Sequence, residues 1–100
     1  MAHPVCGYRA WTWIDGLPDR KWGGGVYALY QGARLVYVEQ TRNLRTRIMV
    51  HRRRFRFDGV KVADVGSRAE RISLERRLLY RLRPPMNCVL PGTRGELLLR

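Results

Sequence analysis

Residues 25–40, GVYALYQGARLVYVEQ, contain two runs of β-branched and aromatic residues separated by a short polar stretch. The runs cover 26–30 (VYALY) and 35–39 (LVYVE), and Gly32 between them suits a tight turn. This pattern predicts a β-hairpin, and the other elements are predicted outward from it along the chain.

Each strand of this hairpin carries one tyrosine, Tyr27 on the first and Tyr37 on the second. Side chains alternate faces along a strand, so the two tyrosines share a face only if the residue numbers paired across the hairpin sum to an even value. Such pairing requires an odd-length or bulged turn, for example one of three residues, rather than a two-residue turn. Taken singly, each tyrosine is also explained as a half-buried aromatic residue of a strand.

A helix is predicted directly after the hairpin. Thr41 suits the N-cap, and the apolar residues Leu44, Ile48 and Phe55 recur at helical spacing through about residue 55. The first helix therefore has one apolar side.

A third strand and a second helix follow. Residues 60–65, VKVADV, alternate as a strand does, and Ser67 with Glu70 forms a capping box at the start of a helix. That helix is predicted over about 68–83, because Pro84 and the proline after it stop it.

Residues 1–100 are predicted to form a single domain, with a core at 25–90, an extension at 1–24 and a tail at 91–100. In the extension, apolar residues alternate around Trp13. This alternation predicts an extra strand or an extended segment that packs on the core.

The charge of the chain favours a polyanionic partner. The formal net charge is +12 for 100 residues, and all but two of the 20 basic residues are arginine, the exceptions being Lys21 and Lys61. Such a field attracts nucleic acid above all. A compositional bias towards arginine is the alternative explanation for the scarcity of lysine.

The sequence predicts an intracellular, cytoplasmic protein with no membrane contact. No run of about 18 apolar residues is present, and the first residues lack the apolar centre of a signal peptide. Cys6 and Cys88 are too few for a disulfide framework. Together with His3 they form only a weak zinc motif, so we treat them as ordinary small residues.

An acidic residue lies within the apolar stripe predicted for the second helix. Glu75 is one turn from members of that stripe, which are Ile72, Leu78, Leu79 and Leu82. A buried carboxylate must be paired, hydrogen-bonded or bound to a metal. The apolar side of the first helix likewise carries Arg47 and His51, one turn apart. A buried Glu75–Arg47 ion pair and a functional site are both consistent with this spacing.

Two tyrosines, an arginine, a histidine and a glutamate together supply phenol, guanidinium, imidazole and carboxylate groups in one basic domain. These groups suit phosphodiester chemistry, which needs a carboxylate for a metal, a cation for the phosphate and an acceptor for the proton of water. The set therefore indicates a candidate active site.

In the order and spacing of its motifs, the chain resembles the GIY-YIG endonucleases over about residues 25–90. The similarity lies in GVY (25–27), YVE (37–39), the R-x-x-x-H of QTRNLRTRIMVH, the glutamate of LERRLLYRL and the asparagine of RPPMN. The resemblance implies an α+β fold with a small three-stranded antiparallel sheet flanked by helices. It also implies metal-dependent hydrolysis of phosphodiester bonds in nucleic acid.

Carried over by position, the resemblance implies that Glu75 holds a single divalent metal ion, Mg²⁺ or Mn²⁺. It implies that Arg47 stabilises the phosphate. Tyr27 and Tyr37 would orient or deprotonate the attacking water. His51 would relay the proton, and Asn87 would brace the site.

One position departs from the pattern of the family. The second tripeptide should end in glycine, and here it ends in Glu39. A glycine there indicates close approach of the backbone, so a side chain needs room. Glu39 is expected either to pair with an arginine of the basic surface such as Arg42 or to turn towards the metal as a second acidic group.

Several arginines around the first helix are expected to face outward and follow a phosphate backbone. They are Arg42, Arg45, Arg52, Arg53 and Arg54. Trp11, Trp13 and Trp22 are candidates for stacking on unpaired bases or, alternatively, for packing in the core.

These observations predict a DNA endonuclease selective for structure, with branched DNA such as a Holliday junction or a flap preferred over plain duplex. Resolution of a four-way junction would need a homodimer, for which the GELLLR tail offers a contact. The alternatives are a non-catalytic nucleic-acid-binding protein on the same scaffold, a basic RNA-binding accessory protein, and a low-specificity nuclease that needs a partner.

Overall fold

The computed structural model describes residues 12–19, 22–54 and 56–87, and these form a small α+β fold. In chain order the elements are β1 (Trp13–Asp15), β2 (Gly25–Gln31), β3 (Arg34–Thr41), α1 (Leu44–Arg52), β4 (Gly59–Asp64) and α2 (Arg68–Leu82). The strands form one antiparallel sheet in the order β1-β4-β2-β3. Among the described residues, no helix is both long and apolar enough to span a membrane.

The predicted α+β class is confirmed, but the sheet has four strands rather than the three that the resemblance implies. The sheet has four strands in the described part of the chain because Trp13, Ile14 and Asp15 pair with β4. The alternating residues of the extension therefore form the extra strand that their pattern allowed. Trp13 packs against the core.

The hairpin of β2 and β3 has a two-residue turn at 32–33, not the three-residue turn taken as the example. Close to the turn Tyr30 pairs with Leu35, and their numbers sum to an odd value. A bulge then shifts the register, so Leu29 pairs with Tyr37 and the sum becomes even. The bulged form of the hairpin, the other alternative that the sequence permitted, is the one observed.

This shift of register places Tyr27 and Tyr37 on the same face of the sheet. Both belong to one buried cluster, and their ring centroids are 6.2 Å apart. Tyr27 lies directly opposite Glu39 in the pairing of β2 with β3. The bulge thus brings the two phenols and this carboxylate to one side of the hairpin.

The sheet lies between the two helices, with a buried cluster on each face. Leu44 and Ile48 of α1 pack on the face that carries the tyrosines. Leu74 and Leu78 of α2 pack on the other face. The tyrosines and α1 therefore line one layer, and α2 with its Glu75 belongs to the opposite layer.

Both helices occur where they were predicted, with corrected ends. The N-cap of α1 is Asn43, whose side chain accepts a hydrogen bond from the Thr46 amide, and not Thr41. Asparagine is among the strongest N-cap residues. The helix ends at Arg52, and the predicted contribution of Phe55 falls outside the described residues.

The second helix is capped as predicted, since Ser67 Oγ accepts from the Glu70 amide at 3.3 Å. Its buried stripe, however, is Arg71, Leu74 and Leu78. The other residues predicted for the stripe are only half-buried: Ile72, Leu79 and Leu82. The buried face of α2 is thus rotated by part of a turn from the predicted one.

Candidate active site

Three rings form the buried centre of the candidate site. Tyr27 comes from β2, Tyr37 from β3 and His51 from the last turn of α1, and each is at most 1% exposed. The His51 ring centroid lies 5.8 Å from that of Tyr27 and 5.0 Å from that of Tyr37. Three separate elements therefore bring these predicted residues into contact.

Glu39, the residue in place of the motif glycine, joins this cluster. Its carboxylate accepts a hydrogen bond from the Tyr27 hydroxyl and lies 3.0 Å from Arg47 Nε. His51 Nε2 is 3.3 Å from the same carboxylate oxygen, Oε1. Glu39 pairs with Arg47 rather than with Arg42, and this also replaces the Glu75–Arg47 ion pair that the helical spacing permitted.

The contacts of Glu39 determine its charge. Burial raises the pKa of this carboxyl, but hydrogen bonds from His51, Arg47 and Tyr27 outweigh burial and lower the pKa from 4.5 to about 2. An ionised carboxylate only accepts hydrogen bonds, so His51 carries its proton on Nε2 in this arrangement. The Glu39 side chain is therefore an anion held by three donors.

Burial and the neighbouring Glu39 charge raise the pKa of Tyr27 well above its ordinary value of 10.0. The hydrogen bond with Glu39 also raises the pKa of Arg47. In the free protein the Tyr27 phenol therefore keeps its proton, and Arg47 stays charged.

The low pKa of Glu39 predicts a particular dependence of stability on pH. Its folded pKa lies below the unfolded value, so its contribution is present above pH 4.5 and is lost as pH falls towards 2. At neutral pH the free energy of unfolding of Glu39→Gln, measured by urea denaturation, should be lower than that of the parent by on the order of 2 kcal/mol. That difference should shrink through the acid range. A difference independent of pH would contradict the assignment.

Glu75, on the helix of the opposite layer, contacts the strand that carries Glu39. It lies half-buried on α2, and its Oε2 accepts a hydrogen bond from the Gln40 amide at 3.2 Å. Gln40 directly follows Glu39 in β3, so both carboxylates contact the same end of that strand. Glu75 thus binds the backbone of the strand end that carries Glu39.

Asn87 braces β3 through two hydrogen bonds. Its Oδ1 accepts from the Val38 amide at 2.8 Å, and its Nδ2 donates to the Val38 carbonyl at 2.9 Å. Val38 precedes Glu39 and is fully buried. Asn87 therefore holds the strand segment that carries Glu39.

Asn87→Ala is expected to destabilise the fold by roughly 2 kcal/mol, because it leaves a buried amide and a buried carbonyl of Val38 without these partners. Asn87→Asp keeps the acceptor for the Val38 amide but sets a carboxylate oxygen against the Val38 carbonyl oxygen, so it should also destabilise the fold. Denaturant unfolding of the parent and of both variants measures the two losses of stability. Equal stability of Asn87→Ala and the parent would show that water replaces the side chain at no cost.

Arg71 was missed by the sequence analysis. It is only 7% exposed, and its guanidinium donates to Gln40 Oε1 at 3.2 Å and to the carbonyls of Val65 and Gly66 at 3.3 and 2.7 Å. Arg71 therefore ties the start of α2 to the strand end at which Glu75 binds. Its spacing of three and seven residues from Leu74 and Leu78 was the available signal.

The predicted arginine surface is largely present. Arg42, Arg52, Arg53 and Arg54 are exposed around α1. Arg45 is half-buried instead, and its Nη1 donates to the Pro18 carbonyl at 2.9 Å. Four of the five arginines thus remain open to a phosphate backbone.

The described tryptophans favour the core alternative. Trp13 and Trp22 are partly buried and pack against the two buried clusters, one on each face of the sheet. Trp11, the zinc candidates His3, Cys6 and Cys88, and the GELLLR tail lie outside the described residues.

The donor groups present suit one magnesium-like ion. Within 12–19, 22–54 and 56–87, no group of three or more His, Cys, Asp or Glu residues is arranged to hold a metal. Mg²⁺ commonly binds one or two carboxylates and keeps several waters. The half-buried carboxylate of Glu75 is a candidate ligand of this kind.

Comparison of the chain with family models, with curated proteins and with solved structures found no match.

Proposed function

We propose that the protein is a metal-dependent endonuclease that hydrolyses phosphodiester bonds in DNA, with the GIY-YIG arrangement of functional groups. The observation that carries the proposal is the contact of two tyrosines with His51 and, through Glu39, with Arg47. These groups come from three elements of the fold. Their assembly, with Glu75 bound to the residue after Glu39, supports a site for phosphate chemistry.

Glu75 would hold Mg²⁺ or Mn²⁺, with waters and the substrate phosphate as the remaining ligands. The bound ion would stabilise negative charge on the phosphoryl oxygens and lower the pKa of a coordinated water. Arg71 donates to the Gln40 side chain at the end of β3, and Glu75 accepts from the Gln40 amide. Both side chains of α2 therefore bind the same strand end.

Arg47 is the cation best placed to meet a phosphate. Its side chain is 39% exposed, whereas the rings beside it are buried. Tyr27 keeps its proton in the free protein, so its hydroxyl acts as a hydrogen-bond donor that orients an oxygen. His51 already shares a hydrogen bond with Glu39, which places the imidazole for proton transfer within this network.

The exposed arginines around α1 supply affinity for phosphate groups without reading bases. This favours recognition of DNA shape, and branched DNA such as a junction or flap is the proposed substrate. Symmetric cutting of a four-way junction would further require a homodimer.

A second candidate function, a non-catalytic nucleic-acid-binding protein, is favoured by one specific observation. Tyr27, Tyr37 and His51 are almost completely buried, and Glu39 is hydrogen-bonded to Tyr27 and His51. A protein that only binds DNA through its surface arginines would not need to open this cluster.

Cleavage assays separate the two candidates. With Mg²⁺ or Mn²⁺ the protein is expected to nick supercoiled plasmid. EDTA should abolish nicking, because the negative carboxylate of Glu75 would then face the phosphate with no metal ion between them. End-labelled junction, flap and linear duplex of equal length should be compared at physiological salt, since electrostatic affinity mimics preference at low salt. Binding without nicking in either metal supports the non-catalytic protein. Equal cleavage of all three substrates excludes selectivity for structure.

A further inference from the structure

The Glu39 carboxylate is an anion surrounded by donors of the kind that bind phosphate. Arg47 approaches both of its oxygens, with Nε 3.0 Å from Oε1 and Nη2 3.5 Å from Oε2. Guanidinium groups hold carboxylate and phosphate through the same paired geometry. The Tyr27 hydroxyl and His51 Nε2 complete the set of donors to Oε1.

Within the described residues, solvent reaches this group of side chains only through Glu39 and Arg47. The Glu39 side chain is 20% exposed and that of Arg47 is 39% exposed, while Tyr27 and His51 are at most 1% exposed. An anion from solvent meets Glu39 and Arg47 first. It reaches the phenol and the imidazole only where the Glu39 carboxylate now lies.

We infer that Tyr27, Arg47 and His51 form an oxyanion site of the phosphate class, which the carboxylate of Glu39 fills in the free protein and which a phosphate group enters by displacing it. Glu39 is a long side chain on a partly exposed strand end, so it reaches solvent by rotation about its own bonds. The buried Tyr27 and His51 stay in place.

The competition between the two anions has a calculable direction. A carboxylate attached to the chain is always present at its site, so an external oxyanion binds more weakly than the three donors alone would permit. Removing the carboxylate leaves a buried hydroxyl and a buried imidazole N–H without their acceptor, which is unfavourable until another acceptor enters. Loss of Glu39 should therefore increase affinity for phosphate.

NMR titration with inorganic phosphate at constant ionic strength, followed by the ring signals of His51, measures phosphate affinity and tests this inference. Glu39→Ala is expected to bind phosphate at least about tenfold more tightly than Glu70→Ala, which removes the same charge from an exposed position. Adding Arg47→Met to Glu39→Ala should abolish the gain. A dithymidine dinucleotide, with one phosphodiester, is titrated in parallel to compare free phosphate with a nucleic-acid ester.

Equal phosphate affinity of Glu39→Ala and Glu70→Ala would overturn the inference, and so would a gain that survives Arg47→Met. If Glu39→Ala does not fold, the pair Glu39→Gln and Glu70→Gln gives the same comparison, because glutamine keeps the shape and removes the charge. Tighter binding of either the phosphate or the dinucleotide by Glu39→Gln supports the site. The readout is binding, so it is independent of whether the chain cleaves DNA.

Discussion

Glu75→Gln is expected to reduce metal-dependent cleavage of DNA by at least about a hundredfold, while DNA binding stays equal or becomes tighter. Glutamine keeps an oxygen that accepts from the Gln40 amide, so the contact with β3 survives. It removes the negative charge that a divalent ion requires. It also removes repulsion of the DNA phosphate. Single-turnover cleavage and equilibrium binding of the same labelled junction measure the two effects.

Glu70→Gln is the matched control for this experiment. Glu70 lies on the same helix, is exposed and forms no part of the proposed site, so its cleavage rate should equal that of the parent. A near-normal rate for Glu75→Gln would sink the assignment of Glu75 as the metal ligand. In that case Glu75 has a structural role, to which its hydrogen bond with the Gln40 amide contributes.

Gly25→Ala is expected to destabilise the fold by at least about 3 kcal/mol, enough to leave a small domain largely unfolded at 37 °C. A Cβ at this position would overlap the Ala63 carbonyl oxygen and lie 2.8 Å from Leu44 Cδ1. The Ala63 oxygen belongs to the neighbouring strand β4, so relief of the clash requires the sheet to separate. Urea denaturation followed by circular dichroism measures the loss.

Gly23→Ala provides the control two residues earlier. A Cβ there would meet no atom within 4 Å, and its φ is not positive, so stability should change by less than about 0.5 kcal/mol. A small effect at both positions would mean that β2 and β4 shift to accommodate a methyl group. That result would contradict the conclusion that β2 packs too closely on β4 to admit a side chain at Gly25.

Local signals account for the part of the fold that the sequence predicted. The hairpin, the Ser67–Glu70 capping box and the helix end before Pro84 each depend on residues close together in the chain. Non-local contacts account for the fourth strand of the sheet. β1 exists because three residues pair with a strand almost fifty positions later, and no local pattern sets that pairing.

The candidate site divides in the same way. Spacing placed Arg47 and His51 on one side of α1, and parity placed the tyrosines on one face once a bulge was allowed. The partner of Glu39 could not be chosen from the sequence, because Arg42 and Arg47 are both near it in the chain. The choice follows from the sheet, which points Glu39 towards α1, where Arg47 lies beside His51.

The hydrogen bonds on the outer side of β3 bear on how two copies of this chain can associate. Strand edges with unpaired backbone groups join other chains and promote aggregation. Along β3 the Val36 carbonyl accepts from the Met86 amide, Asn87 binds both backbone groups of Val38, and Glu75 accepts from the next outward amide. The opposite edge is β1, only three residues long. A second copy therefore cannot extend the sheet through β3 without first displacing these groups, and a homodimer has to form through another surface.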